Sequence, residues 1–360
     1  MGKNSVLRKT VCVLFGGVSG EHEVSLRSAA AVLRNLPRKL YDVVTVGITR
    51  EGSWLLYTGD PEELVGDWEV SGKVCPAVLS PDRGHCGLIV LEEQGARILP
   101  VDVVFPVLHG ENGEDGTVQG LLALAGIPCV GCGVLSSAVC MDKAVAHVVF
   151  QAAGIPKTKL IPLKAADLAA LPALERRLSE ELGYPMFVKP ANAGSSLGVT
   201  KVRSPGDLED ALRLALSIDS KLVVEQAVIG QEVECAVMGN DEPVASEVLA
   251  EILPPDGVYD YASKYLNDEA GLYIPAHIPD SVAQEVRALA VRAYRAADCR
   301  GLARVDFFVK PDGQLVLNEI NTLPGFTSIS MFPKLFEASG VTFPQLVDRL
   351  IRYALDVQVR

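Results

Sequence analysis

The stretch Ala303–Asn321 constrains this chain more than any other. Two apolar runs flank Asp312-Gly313, a strong short-range hairpin signal. A two-residue turn there sets Asp306 opposite Glu319 and Arg304 opposite Asn321, with both pairs on one face. Val305, Phe307, Val309 and Val316 are left to bury the other face. Like charges directly opposed destabilise a hairpin, so the arrangement asks for a shared proton or a bound cation. Asp306, Glu319 and the amide oxygen of Asn321 are hard ligands of the kind Mg²⁺ accepts. Beside such an ion Arg304 is expected to hold an anion rather than to pair with Asp306.

The first third of the chain alternates short apolar strands with helical patterns: Val11 to Phe15, a helix near Glu23 to Asn35, Val43 to Ile48, Val101 to Val107, and a helix near Thr117 to Ala125. That order predicts a doubly wound parallel sheet, with the polar stretch 60–71 as an insertion or long loop. Later, the antiparallel pattern of 232–252 and a helix over 281–297 predict a second kind of layer. The fold class is therefore α/β and α+β, with boundaries near 131 and 227: a first domain over 1–131, a central one over 132–227 and a last one over 228–360.

Composition narrows the function. With 33 Lys+Arg against 45 Asp+Glu the formal charge is -12, so there is no basic excess to attract nucleic acid or an anionic membrane. The eight cysteines are dispersed, read as reduced thiols, and include a lone Cys129-x-x-Cys132 without a partner pair for zinc. The apolar stretch Val11 to Phe15 is too short for a signal peptide, which leaves a cytoplasmic location as the expectation. The uncharged segment 116–141 is broken by Gly126, Pro128, Gly131 and Gly133 and reads as helix, turn, buried strand, turn.

Lys189 ends an apolar strand and precedes the small-residue loop Pro190–Gly198; in a Walker loop the lysine follows the glycines, so a P-loop is excluded. A Gly/Ser loop can still cover phosphates with its amides. Val223–Ala227 is a buried strand ending in an acid that can present backbone groups to a base edge, with Glu232 soon after. Lys143 opens a helix after Met141-Asp142.

The order Lys143, Lys189, Gly/Ser loop, Glu225, Asp306, Glu319, Asn321 resembles the ATP-grasp superfamily. Phe15–Ser25 (FGGVSGEHEVS), His109–Gly116 (HGENGEDG) and Asn318–Thr327 (NEINTLPGFT) further resemble the signature segments of the D-alanine-D-alanine ligase family, over nearly the whole chain. The resemblance implies a three-domain ATP-grasp architecture and the joining of two D-alanine molecules through an acylphosphate, for peptidoglycan precursors. It implies ATP, two Mg²⁺ ions with Mn²⁺ as a substitute, and a homodimer. It assigns the nucleotide to Lys143, Lys189, Ser195, Ser196, Glu225, Gln226, Ala227, Val228, Glu232, Asn318 and Glu319, and the metal to Asp306, Glu319 and Asn321. Glu23 receives the first ammonium with His109 beside it, Arg304 and the Gly325 amide serve as oxyanion donors, and Ser330 and Met331 face the second substrate. Lys264 and Tyr265 belong to a lid, the tyrosine bonding to Ser195 and through it to Glu23. Some family members carry arginine where this chain has Asn192, which leaves a phosphate contact by Asn192 in doubt but spares Lys189.

Lys264-Tyr265 favours an amine nucleophile over the hydroxyl of D-lactate, whereas D-serine as second substrate stays open, because small pocket changes discriminate weakly. A binding protein without chemistry would not need opposed carboxylates, and a dehydrogenase lacks GxGxxG after a strand.

Overall fold

The computed structural model describes residues 8–253 and 271–357. At its centre lies β1 (Lys9–Gly16), whose last six residues are all buried, as a strand covered on both faces requires. It pairs in parallel with β2 (Tyr41–Ile48) and with β7 (Val103–Leu108). The helix α1 (His22–Asn35) makes the first crossover and packs on β1.

The expected parallel sheet is confined to these strands. From β2 the sheet continues as an antiparallel meander of β3 (Trp54–Tyr57), β4 (Val74–Leu79), β5 (Gly87–Glu92) and β6 (Gly95–Pro100), in the order β6-β5-β4-β3-β2-β1-β7. The stretch 60–71 is likewise more than a loop. Two short 3-10 turns over 61–64 and 68–70 drive Leu64 and Trp68 into the core, where Trp68 meets Phe15 edge-on at 4.8 Å between ring centroids. Burial of two large apolar side chains outweighs the polarity of the residues around them.

Beyond β7 come α2 (Thr117–Ala125), α3 (Val134–Met141) and α4 (Lys143–Ala152). The buried strand expected after α2 is a single bridge between Val104 and Cys129, and α3 follows at once. Among the described residues no single helix is long and apolar enough to cross a membrane, and α3 and α4 meet at 106°.

The second sheet has the order β10-β9-β11-β8, from β8 (Leu160–Lys164), β9 (Met186–Pro190), β10 (Thr200–Val202) and β11 (Lys221–Gln226). Its core is closed by α5 (Leu171–Glu181) and α6 (Leu208–Leu216). The third sheet is formed by β12 (Gln231–Gly239), β13 (Val244–Ala245), β14 (Ala250–Leu253), β15 (Gly271–Tyr273), β16 (Gly301–Val309) and β17 (Leu315–Asn321), and α7 (Asp280–Ala296) covers one face. The last helices, α8 (Met331–Ala338) and α9 (Phe343–Asp356), return to the first sheet. There Leu346, Leu350 and Phe332 share one core with Val11, Phe105, Met238 and Leu302.

The β16–β17 hairpin places Asp306 opposite Glu319 and Arg304 opposite Asn321 as expected, but by a different route. The turn has three residues, not two: Lys310 N donates to Gln314 O at 2.9 Å, Gly313 N donates to Lys310 O at 2.9 Å, and Gly313 takes φ +83°. That shifts Val309 opposite Leu315 and Phe307 opposite Leu317. A bulge at Asn318 then restores the register at Asp306. The bulge has a packing reason. Leu315 and Leu317 lie in the core with Val309 and Phe307, while Glu319 and Asn321, of the same parity, face the other way. An unbroken strand could not do both. Val316, expected to be buried on the core side, instead pairs with Phe308 and lines a cleft.

Candidate active site

Between the second and third sheets lies a cleft of about 400 Å³, a size typical of small-ligand sites. Lys143, Lys189, Ser195, Ser196, Glu225, Gln226, Val228, Glu232, Asn318 and Glu319 line it; Ala227 is adjacent, its amide donating to Pro185 O at 3.3 Å. Asp142 caps α4 by accepting from the amides of Ala144 and Val145, which fixes where Lys143 starts. Its ammonium donates to Ala193 O at 2.7 Å, so it is no surface lysine. Lys189 pairs with Glu225 at 2.6 Å. Burial alone favours the uncharged form of Lys189, but Glu225 outweighs it and holds the lysine above its ordinary range, while burial of Glu225 is outweighed by Lys189 and Lys157 and its carboxyl lies below the usual range. Asn192 turns away to Asp219 at 3.0 Å.

A third lysine, Lys157, lines the same cleft and donates to the carbonyl of the bulged Asn318. Nothing in the sequence distinguishes it from its neighbours, because its burial depends on a bulge far along the chain. Desolvation, with Lys189 and Lys143 nearby, lowers it to about 8 despite Glu225 and Glu319. Because the folded lysine gives up its proton more readily than the unfolded one, its charge costs stability in full below about pH 8, and the cost vanishes above the ordinary lysine range. Lys157→Met is expected to stabilise the ligand-free protein by about 2 kcal/mol at pH 7, with the gain shrinking toward pH 10.5. Melting temperatures across that range check it, and a gain that does not depend on pH would refute the burial argument.

The loop Ala191–Gly198 leaves β9 with Ser195 and Ser196 in the left-handed region, at φ +47° and +58°, a strained geometry that concentrates at ligand-holding loops. Ser195 Oγ donates to Glu21 Oε1 in a short hydrogen bond. The Glu21 carboxylate also lies against Gly110 and Gly194, where added Cβ atoms would come within 2.9 and 3.0 Å of Oε2. Those two glycines therefore permit the close approach. Three segments far apart in sequence, the turn after β1, the turn after β7 and the Gly/Ser loop, thus converge on Glu21.

Glu23, the acid expected there, is overturned by this geometry. It is half exposed and pairs with Arg50 at 2.7 Å on the outer side of α1. Successive helical residues turn by about 100°, so of two acids two apart only one faces the loop. His109 stands where expected, buried at the end of β7. Its Nδ1 lies 3.2 Å from Leu323 O and 3.7 Å from Glu114, and its Nε2 lies 3.3 Å from Ser28 Oγ. Burial pushes the imidazole toward neutrality, but Glu114, Glu21 and the Leu323 carbonyl more than compensate, raising it above the ordinary range.

On the third sheet Glu234, Asp306 and Glu319 form a row of carboxylates across β12, β16 and β17. Arg304 does pair with Asp306, contrary to expectation: Nε to Oδ1 at 2.9 Å and Nη2 to Oδ2 at 2.7 Å, with Glu234 a further 3.2 Å contact. Asp306 is 2 % exposed, and a buried carboxylate needs such a forked partner. Asn321 Oδ1 accepts from Leu323 N at 3.1 Å. A Cβ at Gly325 would lie 2.6 Å from Ser330 Oγ, so the glycine gives room to Ser330, which is itself bonded to Thr327. Met331 is buried with Phe332 and Leu335 in the core, so packing accounts for it. Lys264 and Tyr265 lie outside the described residues.

Two family models match this chain: D-ala D-ala ligase N-terminus over residues 10–132 and D-ala D-ala ligase C-terminus over residues 149–352. The D-alanine–D-alanine ligase of Caldicellulosiruptor bescii is 49% identical, covering 96% of this chain and 95% of the relative. That of Thermoanaerobacter sp. strain X514 is 48% identical, covering 97% of each. Among solved structures, the VanG D-Ala:D-Ser ligase from Enterococcus faecalis superposes with a TM-score of 0.88 at 43% identity, covering 96% of this chain and 99% of that one. The D-alanine-D-alanine ligase from Coxiella burnetii gives 0.84 at 35%, covering 97% and 96%. With both halves matched and relatives this similar over nearly their full length, the chain belongs to the D-alanine-D-alanine ligase family, whose members use ATP.

Proposed function

We propose that this protein joins two D-alanine molecules to D-alanyl-D-alanine at the expense of ATP, supplying a peptidoglycan precursor. The observation that carries the reading is the convergence on Glu21 of the two N-terminal signature turns and the Gly/Ser loop, next to a lysine-lined cleft. In this reading Glu21 receives the ammonium of the first D-alanine, with His109 and Glu114 behind it. Lys143, Lys189 and the amides of 193–196 hold the phosphates, and Glu225 to Val228 with Glu232 hold the base and sugar. Positive charge placed where the phosphoryl group moves lowers the barrier by stabilising developing charge.

The residues of the acid row fit a metal. Asp306 and Glu319 face each other, Asn321 lies two residues on, and all three offer hard oxygens. Mg²⁺ held there would neutralise the phosphate oxygens of ATP. Arg304, held by Asp306 and Glu234, would serve together with the Gly325 amide the oxyanion formed when the second amine attacks the acylphosphate. Ser330, bonded to Thr327 beside Gly325, fits a contact to the second carboxylate.

The three sheets support domains over 1–131, 132–227 and 228–360, with α8 and α9 lending their apolar faces to the first. Leu124, Leu135 and Val148, on α2, α3 and α4, are large apolar side chains left exposed, which supports a homodimer. Eight free cysteines suit the cytoplasm.

The test is phosphate release from Mg-ATP with D-alanine, L-alanine, D-serine or D-lactate, singly and paired with D-alanine, with the product identified by mass. Release with D-alanine alone, together with the dipeptide, is the expected result. Release only with the D-alanine and D-serine pair would move this chain to the specificity named for its Enterococcus faecalis neighbour.

A further inference from the structure

The two sheets that enclose the cleft are tied together by a short strap of chain, residues 156–159, which runs from the end of α4 into β8. On one side of it lies β17, the edge strand of the third sheet, and an edge strand presents unpaired backbone groups. The strap covers part of that edge. Leu317 N donates to Pro156 O at 2.8 Å, and Lys157 bridges Leu317 in parallel register. On its other side the strap continues the pairing of the second sheet: Gln226 N donates to Lys159 O at 3.0 Å, and Thr158 Oγ1 donates to Gln226 O at 2.9 Å. Lys157 adds a side-chain bond by donating to the Asn318 carbonyl at the bulge. Leu317, Asn318 and Gln226 are thus all held by the strap and all line the cleft, and the next residue of β17 is Glu319.

Backbone bonds would build such a strap with any side chain at 157, so the charge asks for its own reason. Lys157 shares the cleft with Lys143 and Lys189. Lys189 has the Glu225 carboxylate at 2.6 Å, whereas Lys143 and Lys157 donate to the neutral carbonyl oxygens of Ala193 and Asn318. An apolar side chain could occupy the same space without burying a charge. A desolvated charge retained against its local cost is the kind of conflict that folded chains keep at working sites.

We propose that Lys157 is a positioning residue for the nucleotide: through the Asn318 carbonyl it holds the floor of the cleft, with the strand end that carries Glu319, against the wall formed at Gln226. The inference rests on the reading that a nucleotide occupies this cleft. Bound phosphates bring negative charge to a place crowded with ammonium groups, so the cost of Lys157 is relieved in the occupied protein. A neutral residue at 157 removes that cost from the free protein alone. The difference between the two states then appears as lost affinity.

Calorimetric titration of Mg-ADP into the wild type and into Lys157→Met, with steady-state kinetics on both, tests the assignment. Lys157→Met is expected to bind Mg-ADP at least about tenfold more weakly and to raise KM for ATP by a similar factor, while KM for D-alanine stays within about twofold. A lysine with a merely structural role would move the melting temperature and leave the nucleotide affinity alone. Lys157→Arg keeps the charge and a donor for the Asn318 carbonyl, and is expected to recover part of the affinity. Lys157→Gln, neutral but still a donor, is expected to fall between wild type and Lys157→Met, and it decides the matter if the methionine variant does not fold. Neutral variants that bind Mg-ADP as tightly as a binding wild type would overturn the role of Lys157 alone. Equal rises in KM for ATP and for D-alanine would overturn it too, by showing a general distortion. Wild-type protein that bound no Mg-ADP would refute the nucleotide reading itself, and this proposal with it.

Discussion

Glu21→Ala is expected to lower kcat/KM for the first D-alanine by about 10²- to 10³-fold, while Glu23→Ala changes it by less than about twofold. The difference follows from surroundings, not residue type. Glu21 is packed against Gly110 and Gly194 and bonded to Ser195, so truncating it removes the counter-charge for a bound ammonium and leaves a polar loop without its anchor. Losing one partner of a desolvated, hydrogen-bonded charge pair costs about 2–5 kcal/mol. Glu23 belongs to a half-exposed pair with Arg50, and such pairs contribute about 0–1 kcal/mol. Steady-state kinetics with D-alanine varied, alongside a melting curve for each variant, separates binding from folding. Glu21→Gln sharpens the test, because it can still accept from Ser195 but carries no charge; a Gln variant as active as wild type would remove the ammonium role. The opposite ranking of the two alanine variants would return the role to Glu23.

Arg304→Met should destabilise the protein by about 3–5 kcal/mol and abolish turnover. Its guanidinium holds both oxygens of Asp306 and contacts Glu234, with Glu319 across the strand. Without it three carboxylates face one another in a buried row, and the cheapest relief is to take up protons. The loss is therefore expected to be largest near neutral pH and to diminish on acidification, as the carboxyls become neutral. Denaturant unfolding at pH 5 and pH 8 checks this. An Arg304→Met protein with wild-type stability at both values would show that the cluster is compensated by something other than Arg304. Arg304→Lys is expected to recover only part of the loss, since an ammonium cannot grip two oxygens in a fork.

The acid pair could be read from the sequence because the alternation of apolar residues in β16 is strong and the turn residues are explicit. Asp306 met Glu319 only because two departures cancelled, a turn one residue longer than expected and an extra residue at Asn318. The acid of the first motif could not be chosen from sequence alone. Glu21 and Glu23 both sit at a helix start, and what separates them is Ser195, far along the chain. Lys157 was illegible for the same reason, because its environment is made by the carbonyl of Asn318. The β3–β6 meander was missed because its strands are short, and β6 is mostly exposed, so it carries little apolar signal. The pairing of Arg304 with Asp306 follows from how deeply Asp306 is buried, which the strand pattern does not convey.

The bulge makes one residue of β17 dispensable to its alternation. Deleting Asn318 would leave Leu317 opposite Phe307 and Glu319 opposite Asp306, with the leucines still in the core and the acids still facing the cleft. Deleting Pro311 would leave a two-residue Asp312-Gly313 turn between Lys310 and Gln314, and Val309 would still meet Leu315. Deleting Val316 would instead turn Leu317 to the cleft and Asn318 into the core. Among descendants of this sequence, gaps at the turn and at the bulge are therefore expected, and gaps between Leu315 and Leu317 are not.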